Sequence, residues 1–187
     1  MAAVHNFTAL VRLILRRDRL FLPCWILGLV VLGCFFAPMM PDFMGDEASQ
    51  EVMREMLKNP AMIAMMGISY GEGFGAVYAQ FLLVWVIIGG AIFNIMFVMR
   101  HTRKDEEEGR LEMLAALPVG RSANLLAVLL VALVADALTG ALTAVAIAAF
   151  AVEGIDAAGA WCFGASVAAG NLTFAGLAAL FAQLCST

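Results

Sequence analysis

Charge, lysine and histidine are all scarce in this 187-residue chain, and each scarcity excludes something. Charged residues make up 14% and hydrophobic residues 63%, against about 25% and about 45–50% in a soluble domain. With a mean hydropathy of +0.92, an ordinary water-soluble domain is excluded. The two lysines are Lys58, after Leu57, and Lys104, after Arg103. Neither follows a glycine, so a standard phosphate-binding Gly-Lys-Ser/Thr loop is not spelled. His5 and His101 are the only histidines, which excludes a two-histidine metal motif on one helix. Cys24, Cys34, Cys162 and Cys185 fall within apolar runs and form no C-x-x-C. They read as small apolar residues, not as a disulfide framework or zinc site.

What the chain does have is long apolar runs. A membrane-spanning helix needs about 20 consecutive apolar residues. Four stretches qualify, at 20–40, 80–99, 123–150 and 159–185. The first is too long for the core of a secretory signal, which is about 7–15 residues. Nine of the eleven basic residues precede the first run or lie between the second and third. The positive-inside rule makes that side cytoplasmic. The expectation is an all-α, multi-pass protein of the cell membrane with about four transmembrane helices and both termini in the cytoplasm. The outer loops are then 41–79 and 151–158, and the cytoplasmic loop is 100–122.

Residues 1–19 form an amphipathic cytoplasmic or interfacial unit preceding the transmembrane domain of 20–187. Phe7, Leu10, Val11, Ile14 and Leu15 follow helical spacing, and Arg12, Arg16 and Arg19 line another side. In the outer loop, residues 47–58 fit a short helix stopped by Pro60. The glycines from Gly67 to Gly75 mark an irregular turn into the second run. Met62, Met65 and Met66 suit a dip into the interface or an adaptable contact surface, and burial against neighbouring spans is expected over ligand binding. Tyr70, Tyr78 and Trp161 stand where an aromatic belt belongs.

Residues 100–121, R-H-T-R-K-D-E-E-E-G-R-L-E-M-L-A-A-L-P-V-G-R, form a charged island that holds ten of the chain's charged residues. Thr102 and Asp105 fit a capping box. Asp105, Glu106 and Glu107 suit the positive end of the following helix dipole. Glu106 and Arg110 are a favourable four-residue pair, while Glu108 and Glu112 are a like-charge clash. Leu111, Leu114, Ala115 and Pro118 line one face, so the helix is greasy on one side and acidic on the other. A plain connector needs basic residues for orientation, because acids contribute little to topology. Five acids on an amphipathic helix point instead to docking of a cytoplasmic partner.

Three spans also carry polar residues, where a charge is costly. Asp136, Thr139, Gly140, Thr143 and Ala144 share one stripe of the third run. Asn171, Ala175, Ala178 and Ala179 share a face of the fourth. Small residues of this kind suit tight helix packing, with Asp136 and Asn171 hydrogen-bonded at similar depth. A polar path at Asp136 is the other reading. Asn94 and Gly89-Gly90 in the second run are weaker forms of the same signal.

The island resembles the cytoplasmic loop of ABC-2 type transporter permeases, and more narrowly the bacterial branch of polyketide-antibiotic and multidrug exporters. Asn59-Pro-Ala-Met-Ile-Ala-Met-Met-Gly67 resembles that branch too, as does the order of elements over residues 10–122. The resemblance implies a permease subunit that exports a hydrophobic or amphipathic compound. It implies no catalysis and no cofactor on this chain, with ATP and Mg held by a separate cytoplasmic ABC ATPase. Glu106, Glu107, Glu108, Gly109, Arg110 and Glu112 would form the coupling helix that contacts this ATPase, and residues 4–19 the connecting helix. The lipid bilayer and a second permease half or copy are the other implied partners, and nucleic acid is not one. Members of the branch are longer, so the chain is expected to be the N-terminal portion, incomplete at its C-terminus. A non-transporting membrane scaffold or regulator that binds a partner through the same loop is the alternative.

Overall fold

A computed structural model of the chain describes residues 7–39, 45–68, 71, 73–102, 123–150 and 154–184. These residues form helices α1 (Phe7–Arg17), α2 (Phe21–Cys34), α3 (Glu47–Lys58), α4 (Pro60–Met66), α5 (Phe74–His101), α6 (Ala123–Ala149) and α7 (Ala157–Leu184). No strand occurs among the described residues, and the protein is an all-α membrane protein. Helices α5, α6 and α7, of 28, 27 and 28 residues, are long and apolar enough to cross a bilayer. At 1.5 Å per residue each reaches about 40 Å, beyond the ~30 Å hydrocarbon core.

The first expected span differs. Its helix, α2, has 14 residues, about 21 Å. The chain then tightens into turns, with Ala37 N–H bonded to Cys34 O at 3.0 Å and Met39 N–H to Phe36 O at 3.1 Å. Pro38 has no N–H for the Cys34 carbonyl, which Ala37 N–H takes instead, so the α-helical ladder is not continued. The bundle is therefore three full-length helices and one shorter apolar helix.

Helices α1 and α2 meet at an elbow over residues 18–20. Backbone bonds cross it: Asp18 N–H to Ile14 O at 2.9 Å, Leu22 N–H to Asp18 O at 3.0 Å and Cys24 N–H to Leu20 O at 3.1 Å. Pro23 has no N–H to offer the Arg19 carbonyl, so one rung is missing where the chain bends. Leu10 and Ile14 bury the apolar face of α1 in a core shared with Val128, Val131 and Ala135 of α6. Arg12 and Arg16 remain exposed.

Helices α6 and α7 pack closely because glycines face each other. A Cβ on Gly140 would fall on the Gly164 carbonyl and come within 2.9 Å of the Ala168 Cβ. A Cβ on Gly164 would meet the Ala144 Cβ at 2.9 Å. Apolar surface gains little from leaving lipid, so close backbone approach supplies the van der Waals attraction that holds such helices together. Both expected small-residue stripes are buried here, including Gly140, Thr143 and Ala144 on α6 and Ala175, Ala178 and Ala179 on α7. Leu133, Leu138, Val145 and Phe181 are about half exposed, on the outward faces of the same helices.

Between α2 and α5, α3 occupies the expected 47–58. Asn59 is extended, as a residue before proline should be. Pro60 does more than stop α3, because it opens α4 at the first helical position, with the Asn59 side chain accepting from Ala61 N–H at 2.9 Å. Gly67 ends α4 with φ of 84°, a backbone region that favours glycine. The methionines do not bury as expected: α4 has no buried residue, and Met65 is 63% exposed. A helix of 7 residues has too little surface to cover them. Tyr78 also departs from the belt expectation. It is buried, donates its hydroxyl to the Gly33 carbonyl and packs against Phe163. Trp161 is exposed, while Tyr70 lies outside the described residues.

Candidate functional site

Two buried polar groups stand out, one within the bundle and one at the end of α5. In the first, Asn94 on α5 reaches the other two long helices. Its carboxamide nitrogen lies 3.2 Å from each oxygen of Asp136 on α6 and 3.2 Å from the backbone carbonyl of Asn171 on α7. It also lies 3.0 Å from Gly90 O one turn back on its own helix. Two N–H hydrogens thus face four acceptors and are shared among them. Asn94, Asp136 and Asn171 are all essentially inaccessible.

The expected side-chain bond between Asp136 and Asn171 is not formed. Asn94 takes the place beside Asp136, and the Asn171 carboxamide packs on Gly90, where a Cβ would collide with it. Neither polar atom of that carboxamide has a hydrogen-bond partner among the described residues. Thr139 stays out of the group as well, since its hydroxyl donates to Ala135 O at 2.9 Å within α6. Asn94, which read as the weaker signal in sequence, is the residue that joins the three helices.

The second group was not legible as a site. Asp18, in the α1–α2 elbow, is buried, and its Oδ2 meets His101 Nε2 at the last residue of α5. Arg100 Nη1 lies 3.3 Å from the other carboxylate oxygen, near enough for charge attraction but not aligned as a hydrogen bond. The Arg100 guanidinium sits over the Phe21 ring at 5.5 Å, and the His101 ring meets Phe97 edge-on at 4.9 Å. From the start of α6, Asn124 donates to the His101 carbonyl at 2.9 Å. One joint thus gathers the elbow, the end of α5 and the start of α6. A buried acid costs several kcal/mol unless paired, and here the pairing is supplied by two cationic-type side chains.

Glu106, Glu107, Glu108, Gly109, Arg110 and Glu112 lie outside the described residues. Thr102 is described and does not serve as the cap expected of it. Its backbone (φ −115°, ψ −74°) is not the extended form of an N-cap, and its hydroxyl donates back to Val98 O at 2.7 Å. It finishes α5 instead of starting the next helix. Gly67-Ile-Ser-Tyr-Gly71 spells the G-x-S-x-G of a hydrolase elbow, but that motif needs a strand before the serine. Here helix α4 precedes it, and Ser69 lies outside the described residues. No group of three metal-ligating side chains occurs among the described residues.

These features, a bundle of long apolar helices tied by buried polar residues and a basic elbow packed on it, coincide with a sequence match along nearly the whole chain. A family model described as the C-terminal domain of the multidrug efflux system permease Rv1217c matches residues 8–186. The chain belongs to this family. The multidrug efflux system permease protein Rv1217c of Mycobacterium tuberculosis is 36% identical over 183 residues, which cover 94% of this chain and 32% of the relative. The chain therefore spans about a third of that relative's length. Both findings support the resemblance to ABC-2 type permeases. The matched domain is C-terminal by name, so the expected place in the N-terminal portion has no support.

Proposed function

We propose that this chain is membrane-spanning machinery of an ATP-driven exporter of hydrophobic or amphipathic compounds, worked by a separate cytoplasmic ABC ATPase. ATP and Mg reside on that partner. The observation that carries the proposal is the joint at Asp18, His101 and Asn124. His101 and Asn124 flank the loop of 103–122, and the Asn124 side chain bonds the His101 carbonyl across its base. Asp18 fastens the same point to the elbow. A push on the loop would be delivered to α5, α6 and the α1–α2 elbow together, because the last residue of α5 bonds both of the others. Glu106, Glu107, Glu108 and Glu112 fall within the segment between His101 and Asn124, and their charge suits a cationic partner surface.

In this reading the basic C-terminal ends of α1 and α5 face the cytoplasm of a cell membrane. Asn94 and Asp136 act as a tie within the bundle, because both are buried and Asn94 contacts α6 and α7 at once. The relative's printed name, a multidrug efflux permease, fits such a role. Co-purification with the ATPase tests the proposal. Glu107→Arg and Glu112→Arg should each lower recovery of the ATPase by about tenfold or more, since opposed like charges at an interface cost several kcal/mol. Unchanged recovery in both variants would remove the loop from the interface.

A further inference from the structure

An apolar crevice of about 360 Å³ opens where the α1–α2 elbow leans on α6. Its volume falls in the range of ligand sites, about 300–1,000 Å³. Val11, Leu15 and Ile26 form one wall, and Leu130, Val134 and Leu138 the other. Leu130 to Leu138 is about 12 Å along α6, so the crevice follows that helix for about two turns. Leu130 and Leu138 are about 10 Å and 22 Å from the first residue of α6, so the crevice reaches near the middle of the helix. Leu15, Leu130, Val134 and Leu138 are each 40–48% exposed, so apolar surface is left open along its length.

Among the described residues Arg19 is the one charged side chain that lines the crevice, and it sits at the elbow. Val11, Leu15 and Arg19 follow at four-residue spacing, so the apolar wall leads directly to the guanidinium. Arg12 and Arg16 are exposed on the adjoining face of α1. Among the described residues no acid lines the crevice. A long apolar bed that ends in a cation is complementary to an amphiphile with one anionic end. A free phosphate would leave the apolar bed open, and a neutral lipid would leave Arg19 facing no charge. Basic residues at the cytoplasmic ends of membrane helices attract anionic headgroups in this way.

We infer that the crevice between the elbow and α6 is a binding site for an anionic phospholipid, with the phosphate at Arg19 and one acyl chain along Leu130, Val134 and Leu138. The lipid completes the packing of the elbow on α6. The site does not require that the protein transport anything.

Native mass spectrometry of the intact, delipidated chain in detergent tests this, with dioleoyl phosphatidylglycerol and phosphatidylcholine as probes. Phosphatidylglycerol should bind several-fold better. Arg19→Gln should remove that preference, lowering phosphatidylglycerol binding roughly fivefold, the factor expected for one basic residue near an anionic headgroup. Arg12→Gln should have a clearly smaller effect. Val134→Trp, which fills the crevice without touching charge, should lower binding of both lipids. Equal binding of the two lipids would overturn the inference. So would an Arg12→Gln loss as large as that of Arg19→Gln, which would mean general surface attraction. Displacement of the lipid by millimolar inorganic phosphate, or a dimer that Val134→Trp abolishes, would assign the crevice to another occupant.

Discussion

The tie between Asn94 and Asp136 makes a quantitative prediction. Asn94→Ala removes the donor that serves both Asp136 oxygens at 3.2 Å and the Asn171 carbonyl at 3.2 Å. Asp136→Ala removes the acceptor from the same pair. Each single variant should destabilise by about 1–3 kcal/mol, because it leaves a buried polar group without its partner. The double variant should cost less than the sum. Interhelical hydrogen bonds in membranes show coupling of about 0.6 kcal/mol on average and up to about 1.7. Two contacts from one amide place this pair toward the upper part of that range. For a chain of this length 1 kcal/mol moves the melting temperature by about 2–4 °C, so the non-additive part should be about 2–6 °C. Thermal unfolding of the four proteins in one detergent measures it. Additive variants, with coupling under about 0.3 kcal/mol, would show that the contact holds nothing together.

Other outcomes follow from the packing. Gly140→Leu should destabilise by about 1–3 kcal/mol, because its side chain would have to displace the Gly164 backbone and Ala168. Gly28→Ala has open space around it and should be neutral or stabilising by up to about 1 kcal/mol. Asp18→Ala strips His101 and Arg100 of their shared carboxylate and should cost about 3 kcal/mol. A melting temperature within 2 °C of the parent would show that the elbow needs no such joint. Tyr78→Phe loses the hydroxyl bond to Gly33 and should cost about 0.5–1.5 kcal/mol by the same unfolding assay.

Much of the architecture was legible because membrane helices announce themselves by length. The long runs became α5, α6 and α7, and the amphipathic spacing of Leu10 and Ile14 marked the face that α1 buries. Small residues at helical spacing marked the α6–α7 contact, since only they allow such close approach. What stayed hidden depended on pairs far apart in the chain. Asp18 and His101 are 83 positions apart, and each sits among arginines that read as a solvated basic flank. Nothing periodic joins them. The one hint was an acid between Arg17 and Arg19, just before a proline bend. Asn94 is a weaker signal than Asn171 in sequence because depth along a helix does not tell how far a side chain reaches across. Tyr78 looked like a belt residue because hydropathy locates the end of a span but not which face turns inward.

ATP-dependent flux tests the account's central claim most directly. Inverted membrane vesicles carrying the permease and its ATPase would be followed for uptake of a hydrophobic dye, with and without ATP. The account predicts uptake that requires ATP and both proteins, and that is lost when Glu107→Arg and Glu112→Arg are combined. Uptake that persists without the ATPase, or that the reversed charges leave unchanged, would contradict it.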